Sequence, residues 1–124
     1  AVLTGTSGVE VLSAARLSKE QTRARNKETL LEIINSTELS DAQKQEAVDS
    51  MVRMTDIAEK EAAAEVLLQA KGFQEAVVSI NGDAVDVVIN AAELSDAQRA
   101  QIEDIVKRKT DIAAENIVIS TIVQ

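Results

Sequence analysis

The stretch AVVSINGDAVDVVIN, residues 76–90, decides the fold. Two runs rich in β-branched residues flank Asn81-Gly82, and an Asn-Gly pair between such runs predicts a tight two-residue hairpin of type I′. Pairing Ile80 with Asp83 places Val78 opposite Val85 and Ala76 opposite Val87, on one face with Ile89. The other face then carries Val77, Ser79, Ala84, Asp86, Val88 and Asn90. A slip of one residue would mix the two faces, so the pattern specifies the hairpin strongly.

Downstream, Ser95 and Gln98 form a capping box that opens a helix expected to bury Ala97, Ile102, Ile105 and Val106. That helix ends on Lys107-Arg108-Lys109, cations at the negative end of its dipole. Asp111–Glu115 then connects to Asn116–Val123, whose IVISTIV core reads as a final strand. Upstream, Ser40 and Gln43 make a second capping box, and Lys71-Gly72 supplies a cation and a left-handed stop. A helix is therefore expected from Asp41 to Lys71, with Ala47, Met51, Met54, Ala58 and Ala62 as one stripe and the two methionines as core filling. Residues 9–35 read as a further helix with apolar ends and a polar middle, SKEQTRARNKET, expected to stand in water. ELSDAQ recurs at 38–43 and 93–98, and TDIA at 55–58 and 110–113, both at an offset of 55. The echo marks either shared ancestry or the sameness of good capping boxes.

The expected organisation is a disordered leader over 1–8, an N-terminal helix over 9–36, and a two-layer αββαβ domain over 37–124. The fold class is α+β, two helices on a three-stranded sheet with an extra helix in front.

Composition narrows the function. The 124 residues contain no Cys, His, Trp, Tyr or Pro, and Phe73 is the only aromatic residue. Disulfides, imidazole-based triads, thiol nucleophiles and zinc or haem sites are excluded, and stacking on bases has no platform. No cofactor or metal is expected. Gly72 and Gly82 are accounted for by a helix stop and a turn, so no phosphate-cradling loop is legible. Asp83 and Asp86 lie on different faces of the hairpin strand and make no acid–base pair. A net charge of −8 disfavours phosphate backbones and anionic lipid as partners. A KH-like module shares the αββαβ order, but it needs a GxxG loop and a basic cleft that this sequence lacks. A coiled-coil scaffold built on the first helix needs heptads that SKEQTRARNKET interrupts. The reading is a non-enzymatic binding module.

Two binding candidates stand out. Arg16, Lys19, Arg23 and Lys27 recur at spacings of three and four along one helical face, where residues 16–27 hold five cations against Glu20 alone. The face is either solvated or a docking stripe for self-assembly with the acidic remainder of another copy. The second candidate is the last strand. A tight hairpin keeps its strands adjacent, so the third strand joins outside it as an edge. Its residues Ile117, Val118, Ile119, Ser120, Thr121 and Ile122 carry no charge and no guarding Lys or Pro, with Lys107, Arg108 and Lys109 nearby. Such an edge invites strand addition from a partner, unless the first helix or the tail covers it.

In these segments the chain resembles the extracytoplasmic domain of the stage III sporulation protein AH family of endospore-forming bacteria. ARLSKEQTRARNKETLLEIINS (15–36), LLQAKGFQEAVVSINGDAVDVVI (67–89) and the helix–strand unit over 95–123 carry the resemblance. It implies the ring-building-motif fold and a role between two cells. Members of the family are anchored in the mother-cell membrane and reach into the intermembrane space. There they bind the forespore's stage II sporulation protein Q and contribute to a ring or channel. Their N-terminal membrane segment has no counterpart here, since no run of 18 apolar residues occurs, and the expectation is a soluble fragment anchored from outside this sequence.

Overall fold

Ser40 and Ser95 each accept the backbone N–H of the residue three positions on, and Gln43 and Gln98 reach back to the capping N–H. The two ELSDAQ segments are thus closed capping boxes of the same geometry, with Ser40 at φ −70°, ψ 160° and Ser95 at φ −70°, ψ 163°. They start the second and third helices of a computed structural model that describes residues 8–122. The elements run α1 (Gly8–Ile34), α2 (Asp41–Ala70), β1 (Ala76–Asn81), β2 (Ala84–Asn90), α3 (Asp96–Thr110), a single 3₁₀ turn (Ala114–Asn116) and β3 (Ile117–Ile122). Of the leader expected over 1–8, residues 1–7 lie outside the described residues, and Gly8 already belongs to α1.

The helix stop at Gly72 is a Schellman motif. Gly72 N–H donates to the Gln69 carbonyl and Phe73 N–H to the Leu68 carbonyl, with Gly72 at φ 101°. The closure also places Phe73 beside Leu68 in the core, so the chain turns directly from α2 into β1. The end of α3 uses no glycine. Asp111 takes the left-handed conformation at φ 60°, while the buried Thr110 hydroxyl donates to the Val106 carbonyl and accepts from Ile112 N–H.

The strand order is β1-β2-β3, antiparallel between β1 and β2 and parallel between β2 and β3. The α3 crossover supplies the connection that a parallel pair requires. The hairpin register differs from the sequence expectation by two residues. Ile80 faces Val85 and Asn81 faces Ala84, so the loop is Gly82-Asp83 and not Asn81-Gly82. Gly82 has φ 60° while Asp83 is not in the positive region, the signature of a type II′ turn in place of I′. A shift of two preserves the faces, which is why Ala76, Val78, Ile80, Val85, Val87 and Ile89 are all buried as expected.

These residues meet Ala64 and Leu68 of α2, Phe73, and Ile102, Ile105 and Val106 of α3 in one core. Ala97, expected inside, is exposed on the first turn of α3. The stripe expected on α2 also divides. Ala47 is buried, but Met51 and Met54 are half-exposed and Ala58 and Ala62 exposed, while Val52 and Val66 retain 63% and 66% of their surface. The core line of α2 runs through Ile57, Ala64, Leu67 and Leu68. Only its C-terminal half therefore sits on the sheet. The N-terminal half packs along α1 in an antiparallel hairpin of helices.

Gly72 tests the stop. No atom lies within 4 Å of a Cβ built there, so Gly72→Ala meets only the backbone penalty. We expect a loss of about 1 kcal/mol by urea unfolding, with Gly72→Asn closer to the parent.

Candidate functional site

The two outer strands of a three-stranded sheet each present a row of backbone groups that no neighbouring strand satisfies. On β1 those groups belong to Ala76, Val78 and Ile80, and charged side chains of α1 and α2 meet them. Arg16 Nη2 donates to the Ala76 carbonyl at 2.7 Å and Lys19 Nζ to the Val78 carbonyl at 2.9 Å. Glu65 Oε2 accepts Val78 N–H at 2.8 Å, and Glu61 Oε2 accepts Ile80 N–H at 2.7 Å. Hydrogen bonds to ionised groups contribute about 1.5–3 kcal/mol each, roughly twice a neutral one.

Glu61 joins this row to α1. Its carboxylate is 3% exposed and accepts from four donors. Arg23 grips both oxygens, with Nη2 at 2.8 Å from Oε2 and Nη1 on Oε1, and Lys19 Nζ lies 3.2 Å from Oε1. Burial pushes the Glu61 carboxyl upward. The Arg23 hydrogen bonds, the Ile80 N–H and the nearby Lys19 charge outweigh it, and the group is held below the usual glutamate range. Arg23 is raised in turn, chiefly by its bond to Glu61. The cations keep partial access to water, 19% for Lys19 and 28% for Arg23, which spares them most of the desolvation of a fully buried pair.

The basic stripe of α1 thus faces inward. Arg16, Lys19 and Arg23 are half-buried and engaged within the chain, so that this face does not stand in water; Lys27 alone of the four is exposed. Between the stripe and α2 runs an open groove of about 560 Å³, floored by Met51, Met54, Ala58 and Ala62. The methionines line this groove and are not core filling.

The β3 rim is different. Because Ala76, Val78 and Ile80 turn their backbone groups outward, β2 turns those of Val85, Val87 and Ile89 towards β3. In the parallel register, Val118, Ser120 and Ile122 then bond to β2, and Ile117, Ile119 and Thr121 face away. Ile117 N–H closes the 3₁₀ turn on the Ala114 carbonyl. Among the described residues nothing meets the Ile117 carbonyl or the N–H and C=O groups of Ile119 and Thr121. The side chains of Ile117, Ile119 and Thr121 share the core face, while Val118, 53% exposed, lies with Ser120 on the other. Of the nearby cations, Arg108 pairs with Asp104 at 3.1 Å, and the exposed Lys109 borders an open hollow with Ala62, Ala63 and Val66 of α2. Lys107 is exposed.

Sequence reasoning missed Glu61 and Glu65, although their signal was present. Both stand on the inward line of α2, between Ala58 and Leu68 at spacings of three and four, where an acid needs a partner. The stripe of cations on the preceding antiparallel helix is that partner. Among the described residues no group of acids is arranged to hold a metal ion.

The model of the SpoIIIAH-like protein family matches residues 2–119. Stage III sporulation protein AH of Bacillus subtilis (strain 168) is 26% identical over 108 residues, 87% of this chain. The chain spans 50% of the length of that relative. A chain in the solved structure of the SpoIIQ–SpoIIIAH pore forming complex superposes with a TM-score of 0.82 at 23% identity, covering 92% of this chain and 98% of its own length. That likeness establishes the α+β fold expected from the sequence, with the N-terminal helix preceding the sheet.

The Glu61 cluster makes a signed pH prediction. A carboxylate whose pKa is depressed on folding contributes stability above its unfolded pKa, about 4.3, and that stability fades as pH falls through the folded value. We expect urea stability to decline below about pH 4.3 with a slope that Glu61→Gln flattens. At pH 7 the same substitution should cost roughly 3 kcal/mol, since it leaves two half-buried cations without their anion.

Proposed function

Because the chain belongs to the SpoIIIAH-like protein family, we propose that it is a non-enzymatic assembly module of a sporulation complex, and that it docks its partner by strand addition at β3. The observation that carries this reading is the contrast between the two rims. β1 is closed by four charged side chains, whereas on the uncharged β3 the Ile117 carbonyl and the N–H and C=O groups of Ile119 and Thr121 have no partner among the described residues. A partner strand laid there would satisfy those groups and extend the sheet to four strands. Val118, Ser120 and Ile122 on one face and Ile117, Ile119 and Thr121 on the other would supply side-chain specificity, with Lys107, Arg108 and Lys109 at the end of α3 as the polar border.

The partner we assign is a forespore protein of the SpoIIQ kind, since the structural neighbour is part of a SpoIIQ–SpoIIIAH pore forming complex. The domain would then act in the space between mother cell and forespore, contributing to a ring or channel, with its attachment to the mother-cell membrane supplied from outside these residues. Among the described residues no helix is long and apolar enough to cross a membrane.

Ile119→Pro removes one outward N–H of β3 without touching its bonds to β2. Co-purification with the soluble domain of a SpoIIQ-type partner should succeed for the parent chain and fail, or weaken at least tenfold, for this variant. Far-UV circular dichroism should show the variant folded. Equal affinity for parent and folded variant would remove β3 from the interface.

A further inference from the structure

The two rims of the sheet match in length, in lack of charge and in the phase of their outward residues, and differ in what covers them. β1 (AVVSIN) and β3 (IVISTI) are both six residues long and uncharged. Each turns three alternate residues outward, Ala76, Val78 and Ile80 on one and Ile117, Ile119 and Thr121 on the other. We propose that the β1 rim is a second docking edge, masked in the isolated chain by Arg16, Lys19, Glu61 and Glu65, and that its occupant when unmasked is β3 of a second copy.

Three observations support that occupant. The outward residues of both strands place their side chains on the core face, so joining the rims would continue one apolar layer into the next. No charge on either strand opposes the junction. Four charged side chains bond to one six-residue strand, although the Arg23–Glu61 pair by itself already ties α1 to α2. Joining β3 of one copy to β1 of the next is head-to-tail and leaves both kinds of rim free at the ends, so it propagates. A chain with β3 open needs its other rim shut to stay discrete. Docking requires the side chains of Arg16 and Lys19 from α1 and of Glu61 and Glu65 from α2 to leave the rim.

The test uses the whole chain with Arg16→Ala, Lys19→Ala and Glu65→Ala combined, which frees three of the four masked groups and retains the Arg23–Glu61 pair. Circular dichroism and cooperative urea unfolding establish that the variant folds. In sedimentation velocity its mass should rise with concentration past that of a dimer, where the parent's does not. Adding Ile119→Pro to the variant should return it to the parent's behaviour. Mixing that quadruple variant, open only at β1, with the parent, open only at β3, should give a complex that stops at two copies. A folded triple variant that sediments as the parent overturns the inference, as does assembly that Ile119→Pro leaves unchanged. Should the triple variant not unfold cooperatively, Lys19→Met, which keeps the aliphatic stem and frees the Val78 carbonyl alone, is read by the same two outcomes. The inference shares with the partner-binding reading only the openness of β3. A parent chain that fails to capture a SpoIIQ-type partner would end that reading and leave the self-assembly result to decide this one.

Discussion

One carboxylate stands at the junction of the two parts of this molecule and bonds to both. Glu61 sits where α1, α2 and β1 meet, and its two oxygens take Arg23 and Lys19 from the first and Ile80 N–H from the last. The placement is demanding, because a buried anion with fewer donors would be expelled or protonated. With four donors it is instead held ionised, and it fixes the height and rotation of α1 against the sheet. Arg16, Lys19 and Glu65 then fall into line along the strand. The apolar core lies elsewhere, between the sheet, α3 and the C-terminal half of α2. Hydrophobic burial forms the αββαβ unit, and the extra helix is seated on it by these charged contacts together with the buried side chain of Leu12.

That division explains what could be read in the sequence. The αββαβ unit was legible because its signals are local: two capping boxes, a Gly72 stop, a hairpin with glycine in its loop, and alternation that separates inner from outer faces. Even the register error at the hairpin left the core residues correct, since strand faces repeat every second residue. The turn type was misjudged because the position of Gly82 within the loop decides between I′ and II′, and Asn81-Gly82 and Gly82-Asp83 are both good loop pairs.

The inward stripe of α1 was visible as a pattern but not as a destination. Arg16, Lys19 and Arg23 at helical spacing look the same whether they face water, another copy or their own chain. Their acceptors are backbone carbonyls 59 and 60 positions away and a glutamate on the next helix. Periodicity says which residues share a face; it does not say what that face meets. The two methionines of α2 misled for a related reason, since a groove and a core both favour flexible apolar side chains.

The helical hairpin has a mechanical side as well. From Asp41 to Glu61 the second helix runs about 30 Å, at 1.5 Å per residue, and for most of that length it leans only on α1. The turn at residues 35–40 is therefore the tip of a lever whose fulcrum is the Glu61 cluster. A sideways pull at that tip would be felt as torque on Arg23 and Lys19, and would pass through Lys19 and Glu61 into β1.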